Sequence, residues 1–283
     1  MKFCYTVTQE RSGQTVEQIL KETFQISSHL LKNIRLYGCL TCDGKKIKTN
    51  ECVFVESVLF AEWNFNGKEA GEIVSDQIPI LFQDECFVIV DKPTNLCVHP
   101  SRGHIQDSLI TVLSGGNHLN VVTRLDRDTS GIVILAKNGY WHNRISQTEI
   151  LKLYYGLVEG CPIQKEGMID EPIERETEGS IKRIVRSDGK SARTAYRVLD
   201  YFDDIDCSVM EYRLFTGRCH QVRVHTSYLG CPLVGDSLYG NEKSDSRQDG
   251  QRLLCGQVQF IHPKSGDLIN IRISDIEERL LNR

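Results

Sequence analysis

The most informative stretch of the chain runs from Thr123 to Ala136 and reads Thr-Arg-Leu-Asp-Arg-Asp-Thr-Ser-Gly-Ile-Val-Ile-Leu-Ala. Its last five residues are apolar and predict a buried β-strand. Between Arg124 and Ser130, six polar residues supply two carboxylates, two guanidinium groups and two hydroxyls. Because a buried strand holds the loop that precedes it rigidly, this loop is a candidate position for reactive side chains.

The candidate reactive group in this loop is Asp126. Arg124 and Arg127 are its cationic neighbours in the sequence, so we expect a carboxylate anion that can act as a nucleophile or as a base. The structural alternative is a loop in which these charges satisfy one another as ion pairs. The loop alone does not decide between the two.

Outside this loop, strand patterns recur along the chain with few long helices. Strands are predicted at Cys86–Val90, Ile132–Ala136, Tyr154–Glu159, Ala195–Leu199, Ser208–Leu214 and Leu268–Ile273. Helices are predicted over Asn138–Gln147 and Arg218–Leu229, the second capped by Thr216 or Gly217 and ended by Gly230. Strands and helices do not alternate regularly, which predicts an α+β domain with a mixed, largely antiparallel sheet. The polar segment Asn241–Gly250 predicts a surface loop.

Residues 12–60 predict a small N-terminal α/β module. Helices are expected at Thr15–Thr23 and Ser28–Tyr37, and short strands at Cys39–Ile47 and Glu51–Leu59 around an Asp43-Gly44 turn. Residues 12–50 contain six lysines and arginines against three acids, a local excess of three positive charges. This excess suits a nucleic-acid contact and equally suits a solvated surface. Residues 61–78 are interpreted as a linker, and residues 79–283 as the main domain.

The composition of the 283-residue chain excludes several classes of protein. Its longest apolar runs have five residues, far short of the ~20 that cross a bilayer, and residues 1–30 lack a signal-peptide core. We therefore expect a cytoplasmic protein with no membrane partner, and its eleven cysteines are expected to be reduced thiols. Cys39 and Cys42 are the one close cysteine pair, and no second pair follows at zinc-site spacing. The net charge of −4 gives no overall attraction to nucleic acid, so a role must come from local motifs.

A second dense segment runs from Thr216 to Gly240. Arg218, His220 and Arg223 lie near the start of the predicted helix, and no acid occurs between residues 213 and 225. The start of a helix attracts anions such as phosphate, because its backbone N–H groups are unpaired. A basic, solvent-exposed helix face is the alternative interpretation.

The loop Arg124-Leu-Asp-x-x-Thr-Ser-Gly131 resembles the catalytic signature of the RluA-type pseudouridine synthases. Further blocks on both sides of this loop occur in that family's order. They are Asp91-Lys92-Pro93 with His99-Pro100, Lys152–Gly160, Pro172–Arg175 with Lys190–Thr194, Thr216–Gly240, and Phe260–Pro263. The resemblance covers about residues 80–275. The chain departs from the family pattern at Thr123, where histidine is usual, at Asp91, where asparagine is frequent, and at Gly156, where alanine is usual. Residues 12–60 resemble a divergent alpha-L RNA-binding module.

The resemblance implies the pseudouridine synthase fold and the isomerisation of uridine in RNA to pseudouridine. The base is detached from its sugar, rotated and rejoined through carbon five, which requires neither a cofactor nor a metal. The implied partner is structured RNA, with large-subunit ribosomal RNA favoured and transfer RNA second, and the protein is expected to be a monomer. The alternative is a catalytically inactive RNA-binding protein that retains the fold.

The resemblance also implies a role for individual residues. Asp126 would act beside the sugar, either by attacking the anomeric carbon or by taking a sugar proton. The substrate-binding residues would be Tyr154, which stacks on the flipped-out base, Arg223, which pairs with the carboxylate, and Arg124, which lies beside the nucleotide. Arg218 and His220 would contact the RNA backbone or support the loop. Because Asp126, Tyr154 and Arg223 are all present, the sequence favours the enzyme over the inactive binder.

Overall fold

The computed structural model describes residues 2–24, 26, 28–62, 73, 75–100, 108–114, 119–240 and 250–281 of the chain. Residues 63–72 and 74 of the expected linker, and residues 241–249 of the expected loop, lie outside this description. No helix in the described ranges combines the length and the apolar composition that a membrane span requires.

The N-terminal part forms a four-stranded antiparallel sheet with two helices. Its elements are β1 (Lys2–Thr6), α1 (Val16–Glu22), α2 (Ser28–Tyr37), β2 (Cys39–Cys42), β3 (Lys45–Lys46) and β4 (Val58–Glu62), and the strand order is β1-β4-β2-β3. Thr15 begins α1 with a capping box, because its hydroxyl accepts from the backbone N–H of Gln18 while the Gln18 side chain accepts from the backbone N–H of Thr15. Val16, Ile19 and Leu20 then face a core that α2 and the sheet share.

The two predicted helices of this part are confirmed, whereas the strand expected at Glu51–Leu59 is wrong. The strand runs instead from Val58 to Glu62. The backbone N–H of Ser57 bonds to the carbonyl of Phe54 at 3.1 Å, and Glu56 has a left-handed φ of 68°. This turn places residues 54–57 outside the sheet.

Within the described ranges, ten strands of the main domain form one sheet. Its elements are β5 (Ile80–Gln83), β6 (Phe87–Lys92), α3 (Leu109–Ser114), β7 (Asn120–Val121), β8 (Ser130–Ala136), α4 (Gly139–Ser146), β9 (Leu151–Glu159), β10 (Glu166–Asp170), β11 (Ile173–Arg175), β12 (Arg183–Val185), β13 (Arg193–Phe202), β14 (Cys207–Leu214), α5 (Gln221–Tyr228), β15 (Leu253–Ile261), β16 (Leu268–Arg272) and α6 (Ile276–Leu281). The strand order is β10-β13-β14-β9-β15-β8-β6-β5, with β16 beside β15 and β7 beside β8, while β11 and β12 form a separate ribbon. The α+β fold with a mixed, largely antiparallel sheet is confirmed.

The centre of the sheet is where two distant parts of the chain meet. Among the described strands, β8 and β15 pair in parallel and the other pairs are antiparallel. Gly131 makes this pairing possible, since it has φ 105° and an added Cβ would overlap the backbone of Cys255. The loop that carries Asp126 is thereby fixed against the beginning of β15.

The helix predicted at Arg218–Leu229 starts three residues later than expected. It begins at Gln221, and the preceding residue, His220, is its N-cap with φ 58° and no side-chain capping bond. Thr216 and Gly217 therefore do not cap it. The reason is the Gln221 side chain, whose oxygen accepts from the Thr216 hydroxyl at 2.8 Å and from the Arg218 backbone N–H at 2.9 Å. These bonds hold residues 216–218 as a separate turn, and Gly230 follows the helix with φ 77°.

Candidate active site

One cleft contains the candidate site residues that were selected from the sequence. It is bounded by the loop before β8, by β9, by the end of β14, by the beginning of β15 and by the start of α5. Its lining residues are Arg124, Leu125, Asp126, Thr129, Tyr154, Leu214, Arg218, His220, Gln221, Val222, Arg223 and Leu253. The six candidate site residues Asp126, Tyr154, Arg223, Arg124, Arg218 and His220 therefore line a single cleft.

Asp126 is the carboxylate that faces the cleft. Its side chain is 30% exposed, and its Oδ2 lies 3.4 Å from Nη1 of Arg223 and 4.0 Å from Nε2 of His220. The neighbouring Asp128 instead forms an ion pair with Arg127 at 2.9 Å. The loop thus contains one ion pair that is satisfied locally and one carboxylate that is left accessible within the cleft.

Arg223 is held rigidly by a second carboxylate. Its Nε and Nη2 donate to the two oxygens of Asp236 at 2.8 and 2.7 Å, and both side chains are buried. Burial opposes the charge, but the hydrogen bonds and the charge of Asp236 raise the pKa of Arg223 above its ordinary value. A bidentate pair fixes the plane of a guanidinium group. Asp236 therefore aims the remaining nitrogen, Nη1, at Asp126.

Asp236 is a functional residue that the sequence interpretation missed. It lies in the Thr216–Gly240 segment, where an aspartate beside glycines is equally typical of a turn. Its Oδ1 also accepts from the backbone N–H groups of Leu238 and Tyr239 at 3.0 and 3.1 Å. The signal that could have identified Asp236 is its partner, because a buried arginine such as Arg223 needs a carboxylate.

Tyr154 forms a wall of the cleft from the middle of β9. It pairs with Tyr212 of β14 on one side and with Cys255 of β15 on the other, and it is 7% exposed. Burial, with smaller contributions from Cys255 and Asp126, raises the pKa of Tyr154 well above its ordinary value. The hydroxyl therefore keeps its proton at neutral pH, and the fixed ring borders the space beside Asp126.

The cationic and polar rim of the cleft is more exposed. Arg124 and Arg218 are exposed, and Nε of Arg218 donates to the carbonyl of Ser191 at 2.8 Å. The Nδ1 atom of His220 lies 2.8 Å from the hydroxyl of Tyr239. Arg218 is thus tied to the chain on one side while its guanidinium group stays at the surface of the cleft.

Lys92 supports the reactive loop from the buried side. It is a second residue that was not selected from the sequence. It is completely buried, and its Nζ donates to the carbonyls of Pro93, Leu96 and Arg127 at 2.8, 2.8 and 2.9 Å. Farther along the loop, Nε2 of Gln251 donates to the hydroxyl of Thr129 at 2.9 Å. Buried donors therefore anchor the loop directly after Asp126, at the backbone of Arg127 and at the side chain of Thr129.

One cluster in the described ranges has three ligand-type atoms close together, namely Asp84, Cys86 and His262. The atoms of Asp84 and His262 already have partners within the protein. Nε2 of His262 lies 2.7 Å from Asp84, and its Nδ1 accepts from the backbone N–H groups of Lys264 and Ser265. The cluster is best explained as a hydrogen-bonded anchor between β6 and the end of β15. Cys39 and Cys42 lie three residues apart on β2, so their side chains point to opposite faces of the strand and do not form a metal-binding pair.

Comparisons with known proteins agree with this geometry. The family model described as RNA pseudouridylate synthase matches residues 86–228, which include Asp126, Tyr154 and Arg223. The uncharacterized RNA pseudouridine synthase YlyB of Bacillus subtilis is 35% identical over 217 residues, covering 71% of each chain. Ribosomal large subunit pseudouridine synthase D of Nitrosomonas europaea is 30% identical over 286 residues, covering 93% of this chain and 82% of that protein.

Among solved structures, human RNA pseudouridylate synthase domain containing 1 aligns with a TM-score of 0.59 at 24% sequence identity. The alignment covers 72% of this chain and 86% of that one. This likeness shows that the two chains share a fold.

Proposed function

Since this chain belongs to the RNA pseudouridylate synthase family and is an RNA-modifying isomerase, we propose that it converts specific uridines of large-subunit ribosomal RNA to pseudouridine, with Asp126 as the reacting carboxylate. The observation that carries the proposal is the arrangement of Asp126, Arg223 and Asp236. Asp236 holds Arg223 at 2.7 and 2.8 Å, and Arg223 in turn lies 3.4 Å from an accessible oxygen of Asp126. The buried carboxylate of Asp236 thus orients Arg223, the cation that stabilises the accessible carboxylate of Asp126.

This arrangement suits a reaction at the sugar of a flipped-out nucleotide. An extruded base loses the stacking of its neighbours, which costs a few kcal/mol. An aromatic face that contacts the base contributes about 1–3 kcal/mol, so the ring of Tyr154 can offset much of this cost. Arg124 is exposed at the rim and supplies a planar cation beside the nucleotide.

Two observations support the choice of RNA. Nitrosomonas europaea and Zymomonas mobilis proteins named for the large ribosomal subunit are each 30% identical to this chain over more than nine tenths of its length. The N-terminal part also carries a groove with the cations Arg35, Lys46 and Lys48 along it. We assign residues 12–60 an RNA-binding role on the basis of this groove, with phosphates as the expected ligands.

The test of the proposed function is a map of pseudouridines. Carbodiimide-based sequencing of RNA from cells with and without this gene should show sites in large-subunit ribosomal RNA that disappear with the gene. If sites are lost only from transfer RNA, the substrate is transfer RNA and not large-subunit ribosomal RNA. If no site is lost from any RNA and the purified protein still binds RNA, the inactive binding protein becomes the better description.

The role of Asp126 is tested by Asp126→Asn, with Asp128→Asn as the matched control. Asparagine keeps the shape but loses the charge, so it neither attacks the sugar efficiently nor accepts a proton. We expect at least a thousandfold loss of turnover, about 4 kcal/mol in the barrier, with RNA affinity nearly intact. Asp128→Asn should cost far less, because Asp128 is paired with Arg127 outside the cleft. Equal losses in the two variants would overturn the assignment.

A further inference from the structure

His220 occupies an unusual position at the cleft. It lies directly before α5 with φ 58°, a left-handed conformation that few residues other than glycine adopt. Its side chain is 15% exposed, and Nε2 lies 4.0 Å from the accessible oxygen of Asp126. A strained backbone persists where the surroundings hold it in place, and such positions are frequent in active sites.

Tyr239 is the residue that holds the imidazole of His220. Its hydroxyl lies 2.8 Å from Nδ1 of His220 and accepts the backbone N–H of Arg183, also at 2.8 Å. Tyr239 is 8% exposed, and the guanidinium carbon of Arg223 lies 5.0 Å from its ring centroid. Its own backbone N–H bonds to Asp236. Tyr239 is therefore fixed by the same buried groups that orient Arg223.

These contacts determine which nitrogen of a neutral His220 carries the hydrogen. Burial is the main reason that the pKa of Tyr239 rises to about 12, so its hydroxyl is protonated at neutral pH. The backbone N–H of Arg183 is a donor, so the single hydrogen of the Tyr239 hydroxyl has Nδ1 of His220 as its acceptor. Nδ1 is then an acceptor, and the hydrogen of the neutral ring is on Nε2, which faces Asp126 and the cleft.

The position of Nε2 limits what it can bind. In either form of the chemistry Asp126 works at the anomeric carbon or at the carbon next to it, and the second of these carries the 2′-hydroxyl. An acceptor bound between Nε2 and Asp126 is close to a negative charge, so a phosphate is disfavoured and a neutral hydroxyl is favoured. The 2′-hydroxyl can accept from Nε2 and donate to a carboxylate at the same time.

We infer that His220 contacts the substrate by donating its Nε2 hydrogen to the 2′-hydroxyl of the target uridine, and that Tyr239 is the positioning residue that fixes this tautomer. The inference rests on the proposed function, because it requires a ribonucleotide beside Asp126. It assigns His220 a more specific role than support of the loop. It also gives the enzyme a contact that deoxyribose does not offer.

The first test uses the free protein and needs no RNA. Long-range ¹H–¹⁵N spectra of histidine-labelled protein at pH 8 report which ring nitrogen is protonated. We expect His220 to show an Nε2–H tautomer in the wild type, and Tyr239→Phe to convert it to a mixture, since the donor to Nδ1 is gone. An Nδ1–H tautomer in the wild type, or an unchanged tautomer in Tyr239→Phe, would contradict the inference.

The second test compares two synthetic stem–loops that contain the mapped target uridine, one with ribose and one with 2′-deoxyribose at that position only. The wild type should lose about tenfold in kcat/KM on the deoxy substrate, the effect of one well-made hydrogen bond. In His220→Asn this penalty should shrink to less than twofold, because asparagine tolerates the left-handed backbone but its amide does not reach the position of Nε2. His220→Gln, which places an amide N–H near that position, should recover part of the penalty.

The outcomes separate this inference from the proposed function. If the wild-type enzyme forms no pseudouridine in the all-ribose stem–loop, the proposed function is wrong, whichever tautomer His220 has. If the wild type is active and the deoxy penalty is the same in His220→Asn, the proposed function stands and the contact with the 2′-hydroxyl is wrong.

Discussion

The ring and the hydroxyl of Tyr154 lie in different surroundings. Its ring faces the cleft, while its buried hydroxyl interacts with the thiol of Cys255 and has a pKa raised well above the ordinary value. Stacking on a base needs the ring and not the hydroxyl. Substitutions at this position therefore separate binding from proton transfer.

We expect Tyr154→Phe to bind target RNA as the wild type does, and Tyr154→Ala to bind at least tenfold more weakly. The ring supplies about 1–3 kcal/mol of stacking, which alanine cannot replace. Filter binding measures the affinity, and single-turnover kinetics measure the chemistry. A Phe variant that binds normally and reacts slowly would assign the hydroxyl a proton-transfer role, whereas a fully active Ala variant would remove Tyr154 from the site.

Lys92 makes the stability of the protein depend on pH. Burial lowers its folded-state pKa to about 8, from 10.5 for an unperturbed lysine. Between these values the unfolded chain binds more protons than the folded one, so the contribution of Lys92 to stability increases as the pH rises from about 8 to about 10.5. Between pH 7.5 and 9.5, we expect the unfolding free energy of the wild type to rise by about 2 kcal/mol relative to that of Lys92→Met.

Urea unfolding at several pH values measures this difference for Lys92. The exposed Lys45 of β3 is the control, and the difference between the wild type and Lys45→Met should stay constant over the same range. A flat difference for Lys92→Met as well would show that the buried ammonium group titrates at its ordinary pKa.

At the scale of the element, the pairing of β8 with β15 depends on Gly131. A side chain there would meet the backbone of Cys255, and φ 105° is unfavourable for any other residue. We expect Gly131→Ala to lower the unfolding free energy by about 2–4 kcal/mol, since the strands must separate or the loop must shift. Gly139, the first residue of α4, has open space around an added Cβ, so Gly139→Ala should be neutral or slightly stabilising. Equal stability losses in urea would show that close approach is not the cause.

The elements could be predicted from the sequence wherever their signals are local. The strands β6, β8, β9, β13, β14 and β16 overlap their predicted ranges, because apolar runs and alternation are local properties. The start of α5 was predicted wrongly because it depends on distant contacts. The Gln221 side chain bonds to Thr194 and Arg193, nearly thirty residues away, as well as to the turn at residues 216–218. The order of the strands was also not predictable, since no local pattern shows that β15 lies between β8 and β9.

The candidate site shows the same limit. Asp126 and Arg223 could be selected because they lie in dense motifs, and Tyr154 because its block resembles one of the synthase family. Asp236 and Lys92 act through partners that only the folded chain brings together, and their sequence neighbourhoods resemble a turn and a strand end. The residues that contact the cleft were thus easier to find than the residues that hold them.

At the scale of the whole molecule, the N-terminal sheet contributes a second cationic surface. Lys46 and Lys48 are exposed along its groove, whereas Lys2 lies on β1 at the opposite edge of the sheet. If the groove binds phosphates, Lys46→Glu/Lys48→Glu should weaken RNA binding and reduce the slope of log K against log salt by about 2. Lys2→Glu should leave both nearly unchanged. Identical salt slopes for the wild type and the double variant would exclude these lysines from the RNA contact.

The position of β15 between β8 and β9 has a consequence for the protein during its synthesis. A ribosome releases the segment with Asp126 more than a hundred residues before the strand that must be inserted beside it. Until residue 261 has emerged, β8 and β9 each have an unpaired edge, and such edges promote aggregation. A chain cut short by a premature stop codon before residue 253 would carry Asp126, Tyr154 and Arg223 and still lack a formed site. Nascent chains should therefore be inactive, and truncated ones should be substrates for chaperones and proteases.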